Sequence, residues 1–109
     1  MGRFVKGDVV VAQFPFSDLS SSKRRPALVV ARASSEDLIL MQITSQSFAD
    51  EYAVAIKSDD FTIGGLNLVS NVRPNKLFTM DSDIVLYKVG ELKAEKTKEI
   101  VDVIVSLLS

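Results

Sequence analysis

Apolar and polar residues come in short strand-like runs along most of the chain and change to a helical period near its end. After Gly7-Asp8, which reads as a turn, Val9-Val10-Val11-Ala12-Gln13-Phe14 is apolar, β-branched and aromatic and predicts a strand. Pro15 cannot donate to a ladder, so it marks the strand's end or an edge. Ser17-Asp18-Leu19-Ser20-Ser21-Ser22-Lys23-Arg24 is polar and serine-rich and predicts a loop. Pro26-Ala27-Leu28-Val29-Val30-Ala31 predicts a second strand, Ser34-Ser35-Glu36 a turn, and Leu38-Ile39-Leu40-Met41-Gln42-Ile43-Thr44 a third strand. A fourth follows at Tyr52-Ala53-Val54-Ala55-Ile56.

Gly64-Gly65 then breaks the chain before the apolar run Leu66-Asn67-Leu68-Val69. Pro74 predicts a bend, and Leu77-Phe78-Thr79-Met80 a short strand closing at Asp81-Ser82-Asp83. Ile84-Val85-Leu86-Tyr87 fits a strand or a helical turn equally. From Ala94 onward Ile100, Val101, Ile104, Leu107 and Leu108 share one helical face, which predicts a terminal helix packed along that stripe. Many short strands with Gly and Pro punctuation and one terminal helix imply a small barrel, mostly β with a C-terminal α-helix, in the α+β class. No repeat or linker divides residues 1–109, so one domain is expected.

Composition narrows the chemistry. The chain has no cysteine and no histidine, which removes disulfides, thiolate or imidazole metal sites, and Ser-His-Asp or Cys-His catalysis. Any reaction must run on Arg, Lys, Asp, Glu, Ser, Thr, Tyr or backbone groups. With 13 basic and 14 acidic residues the net charge is −1, so attraction to a polyanion has to come from a local patch. No run is long and apolar enough for a membrane helix, and no signal-peptide core precedes the first strand, so a cytoplasmic protein is expected.

Three clusters could carry chemistry. Lys23-Arg24-Arg25 stands directly before Pro26, which restricts Arg25 to extended conformations and gives its side chain a defined direction. A guanidinium fork suits bidentate capture of phosphate, although such a run can equally be a solvated segment that protects a strand edge. Thr44-Ser45-Gln46 follows the third strand and could line a pocket or simply form a turn. Asn71-Val72-Arg73-Pro74-Asn75-Lys76 either extends a phosphate track or serves as a polar connection. Whether Arg25 and Thr44 lie close together is not given by the pattern. The acidic pairs Asp59-Asp60 and Asp81/Asp83 have no recognised metal-loop spacing and read as surface turns.

Gly7-Asp8-Val9-Val10, Arg25-Pro26-Ala27-Leu28-Val29-Val30 and Gln42-Ile43-Thr44-Ser45-Gln46 together resemble the MazF/PemK toxins, in order and spacing. Val72-Arg73-Pro74-Asn75-Lys76-Leu77-Phe78-Thr79 and Lys88-Val89-Gly90-Glu91-Leu92 extend the resemblance over nearly the whole chain. The resemblance implies an SH3-like barrel of the CcdB/MazF type, a homodimer, and a cognate antitoxin as partner. It also implies sequence-selective cleavage of single-stranded RNA with neither metal nor other cofactor. Attack by the substrate's own 2′-hydroxyl would leave a 2′,3′-cyclic phosphate and a free 5′-hydroxyl.

The family's arginine before the proline falls on Arg25 and its threonine after the third strand on Thr44, the two implied catalytic residues. An arginine stays charged near neutral pH, so Arg25 is suited to stabilising the transition state, and Thr44 to positioning a phosphate oxygen. Lys23, Arg24, Ser45, Gln46, Arg73 and Phe78 are the implied substrate-binding residues. Phe78 stands where many family members carry an arginine, exchanging a phosphate contact for an aromatic face. No side chain is an obvious general base.

Two other readings share the fold: a non-catalytic gyrase inhibitor like CcdB, and a degenerate toxin kept as an antitoxin-binding partner. The gyrase reading meets an obstacle, because this chain has no tryptophan and ends Val105-Ser106-Leu107-Leu108-Ser109.

Overall fold

Val9, Val10, Ala12, Ala27, Leu28, Val29, Leu40, Met41 and Ile43 are all buried, although neighbours in this set point to opposite faces of their strands. The strands that carry them must therefore be covered on both sides. The computed structural model describes residues 4–15, 22–45 and 51–109 and shows how. Seven strands, β1 (Asp8–Pro15), β2 (Ser22–Arg32), β3 (Asp37–Thr44), β4 (Val54–Ile56), β5 (Phe61–Gly64), β6 (Ser70–Asp81) and β7 (Val85–Leu92), precede helix α1 (Ala94–Leu108). They form one antiparallel sheet in the order β4-β6-β3-β2-β1-β7-β5.

The sheet curls. Ile56 of β4 and Phe61 of β5, at its two edges, belong to the same buried cluster as Val9, Leu28, Met41, Ile43 and Val72. Ile100 of α1 completes that cluster, with Ile104 packed against it, so the helix fills the curl. On the other face Val10, Ala12, Ala27, Val29, Leu38, Leu40, Met80 and Val85 form a second cluster, flanked by Phe4 and Phe78. The result is a half-barrel with one helix, the mostly-β, α+β architecture that the alternation predicts. No helix among the described residues is long and apolar enough to cross a membrane.

The Gly7-Asp8 turn ties three strands together. Gly7 adopts φ +100°, its N–H donates to the Val29 carbonyl (2.9 Å), and its carbonyl accepts from Leu92 N–H (2.9 Å). Asp8 is buried, and its carboxylate accepts the Val5 N–H at 3.0 Å and lies 3.7 Å from Lys88 Nζ. Lys88 also holds Glu91 at 2.8 Å, and this hydrogen bond is the largest of the influences that raise its pKa above the ordinary 10.5.

Several expectations need correction. Ser22, Lys23 and Arg24 are not loop but the start of β2, paired with Pro15, Phe14 and Gln13. The remainder of that expected loop, 17–21, lies outside the described residues. The fourth strand is shorter than expected and starts at Val54, while Tyr52 sits in a turn. Strand β5 was not anticipated, and residues 66–69 carry no regular structure. Pro74 does not end a strand: β6 runs through it, and the bend appears as an irregularity in which Met41 pairs with Leu77 but Gln42 with Arg73. The segment at 84–87 divides, with Ile84 closing a short 3₁₀ turn and Val85 opening β7.

The helix stripe is only partly covered. Ile100 is fully buried, whereas Leu107 is 39% and Leu108 76% exposed. Ile100→Ala is therefore expected to lower stability by about 2–5 kcal/mol, from lost burial and the cavity it leaves. Leu108→Ala should stay within about 0.5 kcal/mol of the parent. Urea denaturation followed by far-UV circular dichroism separates the two.

Candidate active site

Antiparallel pairing brings the start of β2, which carries Arg25, toward the end of β3, which carries Thr44. The β2–β3 ladder is paired from Arg32↔Leu38 to Ala27↔Gln42. Followed two residues further along each strand, that register sets Arg25 level with Thr44. On the other side of β3, Gln42 pairs with Arg73 and Thr44 with Asn71. Paired residues share a face, and residues two apart on a strand share it too. Arg25, Gln42, Thr44, Asn71 and Arg73 thus sit on one face at one end of three adjacent strands. The same face continues inward as the apolar Ala27, Val29, Leu40 and Leu38. A polar, doubly cationic rim is mounted on a rigid apolar wall.

Arg24 is the neighbour of Arg25 in an extended strand, so its side chain leaves from the opposite face. There, together with Ser45, it borders a cleft of about 420 Å³ that Arg25 also reaches. Arg24 and Ser45 are exposed; Arg25, Thr44 and Arg73 are half-buried. Lys23 occupies a β2 position opposite Phe14, but its side chain lies outside the described part of the structure, as does the whole of Gln46.

Phe78 is placed apart from the others. It pairs with Leu40, four residues back along β3 from Thr44, and packs half-buried against the second apolar cluster. At about 3.3 Å per residue that is roughly 13 Å from the strand end. In the sequence Asn71 reads as part of a polar connection, and Gln42 carries no distinguishing signal of its own. The signal that could have found both is parity, since Gln42 is two residues from Thr44 and Asn71 two from Arg73.

In chemical terms this strand end offers guanidinium forks, a hydroxyl and amides, all suited to holding a phosphodiester and stabilising negative charge on it. Among the described residues no group of three or more carboxylates gathers as a cation would need.

Comparison with known proteins places the chain in a class. The family model for the PemK-like, MazF-like toxin of type II toxin–antitoxin systems matches residues 5–108. The chain belongs to that family. Among curated proteins, none matches it by sequence. In fold it is similar to an endoribonuclease solved in complex with its cognate antitoxin from a mycobacterial species, with a TM-score of 0.76 and 16% identity over 97% of this chain and 95% of that one. It is also similar to the Mycobacterium tuberculosis toxin MazF-mt6, with a TM-score of 0.71 and 21% identity over 93% and 95% of the two chains. A chain of the MazE–MazF crystal structure from Deinococcus radiodurans gives 0.75 and 22% identity, over 95% and 94%.

Arg25 and Thr44 lie beyond the last paired position of the β2–β3 ladder and outside both apolar clusters. Arg25→Ala and Thr44→Ala are each expected to keep the native fold, losing about 1 kcal/mol or less. Unchanged far-UV spectra and cooperative urea transitions would verify this.

Proposed function

We propose that this chain is a toxin that acts as a metal-independent endoribonuclease on single-stranded RNA and is held in check by a cognate antitoxin. Membership of the toxin family supports the class. The observation that carries the chemistry is the gathering of Arg25, Thr44 and Arg73 on one face of the β2–β3–β6 strand end.

The reaction is an internal transfer at phosphorus. The substrate's 2′-oxygen forms a bond to the adjacent phosphorus, the bond from phosphorus to the 5′-oxygen breaks, and a 2′,3′-cyclic phosphate and a 5′-hydroxyl result. One proton leaves the 2′-hydroxyl and one arrives on the 5′-oxygen, so no water or metal is consumed. Arg25 stabilises the charge that builds on the phosphoryl oxygens, and Thr44 holds one of those oxygens by its hydroxyl. Arg73 secures the chain through a phosphate.

The chain works as a single cytoplasmic toxin domain and as a homodimer. Exposed Leu77 on β6, Ile84 in the 3₁₀ turn, and Leu86 and Tyr87 on β7 supply apolar surface of the kind that interfaces use. Size-exclusion chromatography with light scattering should give twice the chain mass, and a clean monomer would count against the dimer.

The decisive assay incubates the purified protein with a long single-stranded RNA in the presence of EDTA and maps the ends by primer extension. Discrete cuts bearing 5′-hydroxyl ends are expected. Arg25→Ala should slow them by about 10²–10³-fold, the typical effect of losing one donor to a developing oxyanion. Thr44→Ala should slow them about 10- to 150-fold, in line with roughly 1.5–3 kcal/mol for a hydrogen bond to a charged group. Intact RNA, from protein shown to be folded and free of antitoxin, would overturn the ribonuclease reading in favour of a non-catalytic toxin-fold protein.

A further inference from the structure

The cleft bordered by Arg24 lies across the sheet from Thr44, and its far wall is the irregular stretch 65–69 with Ser70 at the start of β6. Its floor is apolar: Ile43 lines it and is 1% exposed. The wall is anchored at both ends. At one end Gly64 pairs with Gly90, where β5 and β7 approach so closely that a Cβ on Gly90 would stand 2.7 Å from the Ile63 carbonyl. The next N–H, of Gly65, donates to the Val89 carbonyl at 3.1 Å. At the other end Ser70 is 3% exposed, pairs with Ile56, and donates its hydroxyl to the Leu68 carbonyl at 3.0 Å. Leu66 packs against the cluster that contains Ile43.

Between these anchors two side chains are left outward. Asn67 is exposed, and Leu68 is 65% exposed beside the cleft. The cleft therefore combines an apolar floor and lip with an amide that both donates and accepts, a Ser45 hydroxyl, and the Arg24 cation at its mouth. Its volume, about 420 Å³, is near the lower end of ligand pockets, roughly 300–1,000 Å³. A flat heterocycle with hydrogen-bonding edges and an attached phosphate fits that set of groups; splayed single-stranded bases are recognised by stacking and edge contacts of this kind.

The geometry points to this cleft as the subsite that reads one unpaired base flanking the scissile phosphate, with Asn67 as its specificity-determining residue. The inference rests on the reading of RNA as substrate. Arg25 lines the cleft and also stands at the phosphate-holding rim, so the two sites are continuous around the end of β2. A strand whose phosphate lies at Arg25 and Thr44 passes over that end, and Arg24 meets the next phosphate while its base enters beside Asn67. Leu68 covers one face of the base and Asn67 meets its edge.

The test uses binding, so that it does not depend on cleavage. The full chain is titrated with fluorescein-labelled octamers of uridine, adenosine and cytidine, 2′-O-methylated to prevent cutting, and anisotropy is read for the parent, Asn67→Ala and Asn67→Asp. The parent is expected to prefer one base, and both variants to lose about tenfold affinity for that octamer and with it the preference, at unchanged Tm, as for loss of one base-edge contact. Equal binding of the three octamers by the parent, or an unchanged preference in both variants, overturns the subsite. A parent that shows the expected base preference here but leaves RNA intact in the cleavage assay would retain the subsite and lose only the ribonuclease reading.

Discussion

The pairing of β2 with β3, buried on both faces, is the constraint on which the rest of this protein depends. Leu28, Met41 and Ile43 face the helix-filled side, while Ala27, Val29 and Leu40 face the other. A slip of one residue in either strand would exchange the two sets and drive polar neighbours into the core, so the register is strongly specified. That same register decides which polar residues emerge at the strand end. Arg25 and Thr44 are level because Ala27 and Gln42 are paired, and Arg73 joins them because Gln42 is shared with β6. The candidate site is thus a by-product of core packing carried two residues past the last ladder position.

Under the proposed function, such a construction would let a chain with net charge −1 hold a polyanion. The cations need not dominate the surface if arginines from two strands converge at one edge of a dry apolar wall, where water competes less for their charge. It also explains how the fold persists at 16–22% identity to the solved toxins. Cores accept apolar replacements of similar volume, so pairwise identity can fall far while the strand order and its register are kept.

Segment 65–70 shows the complementary principle. Its ends are fixed by a close glycine approach and a buried serine hydroxyl, and its middle is left in solvent. Leu66 turns inward and Leu68 outward on a stretch without regular structure, so no periodicity could have assigned either direction. Strand β5 escaped notice because it is four residues long and only Phe61 of it is buried. The stretch Ser22–Arg24 looked like loop because it is polar, yet β1 continues opposite it, and backbone pairing holds polar residues in a strand as readily as apolar ones.

The sequence by itself determined the longer apolar strands, the Gly7-Asp8 turn, the terminal helix, the arginine cluster before Pro26, and a chemistry that excludes histidine and cysteine. These follow from period, local sterics and side-chain inventory, which are properties of neighbours along the chain. Only the tertiary structure decided that Arg25, Thr44 and Arg73 share a face, that Arg24 turns the other way into a cleft, and that Phe78 belongs with the core. It also decided that the helix stripe stops being covered at Leu107. A period of two tells which residues of one strand lie on the same side, but not which strand comes to lie beside it. That choice is made by the burial of both sheet faces at once, a condition on the whole chain that no local window contains.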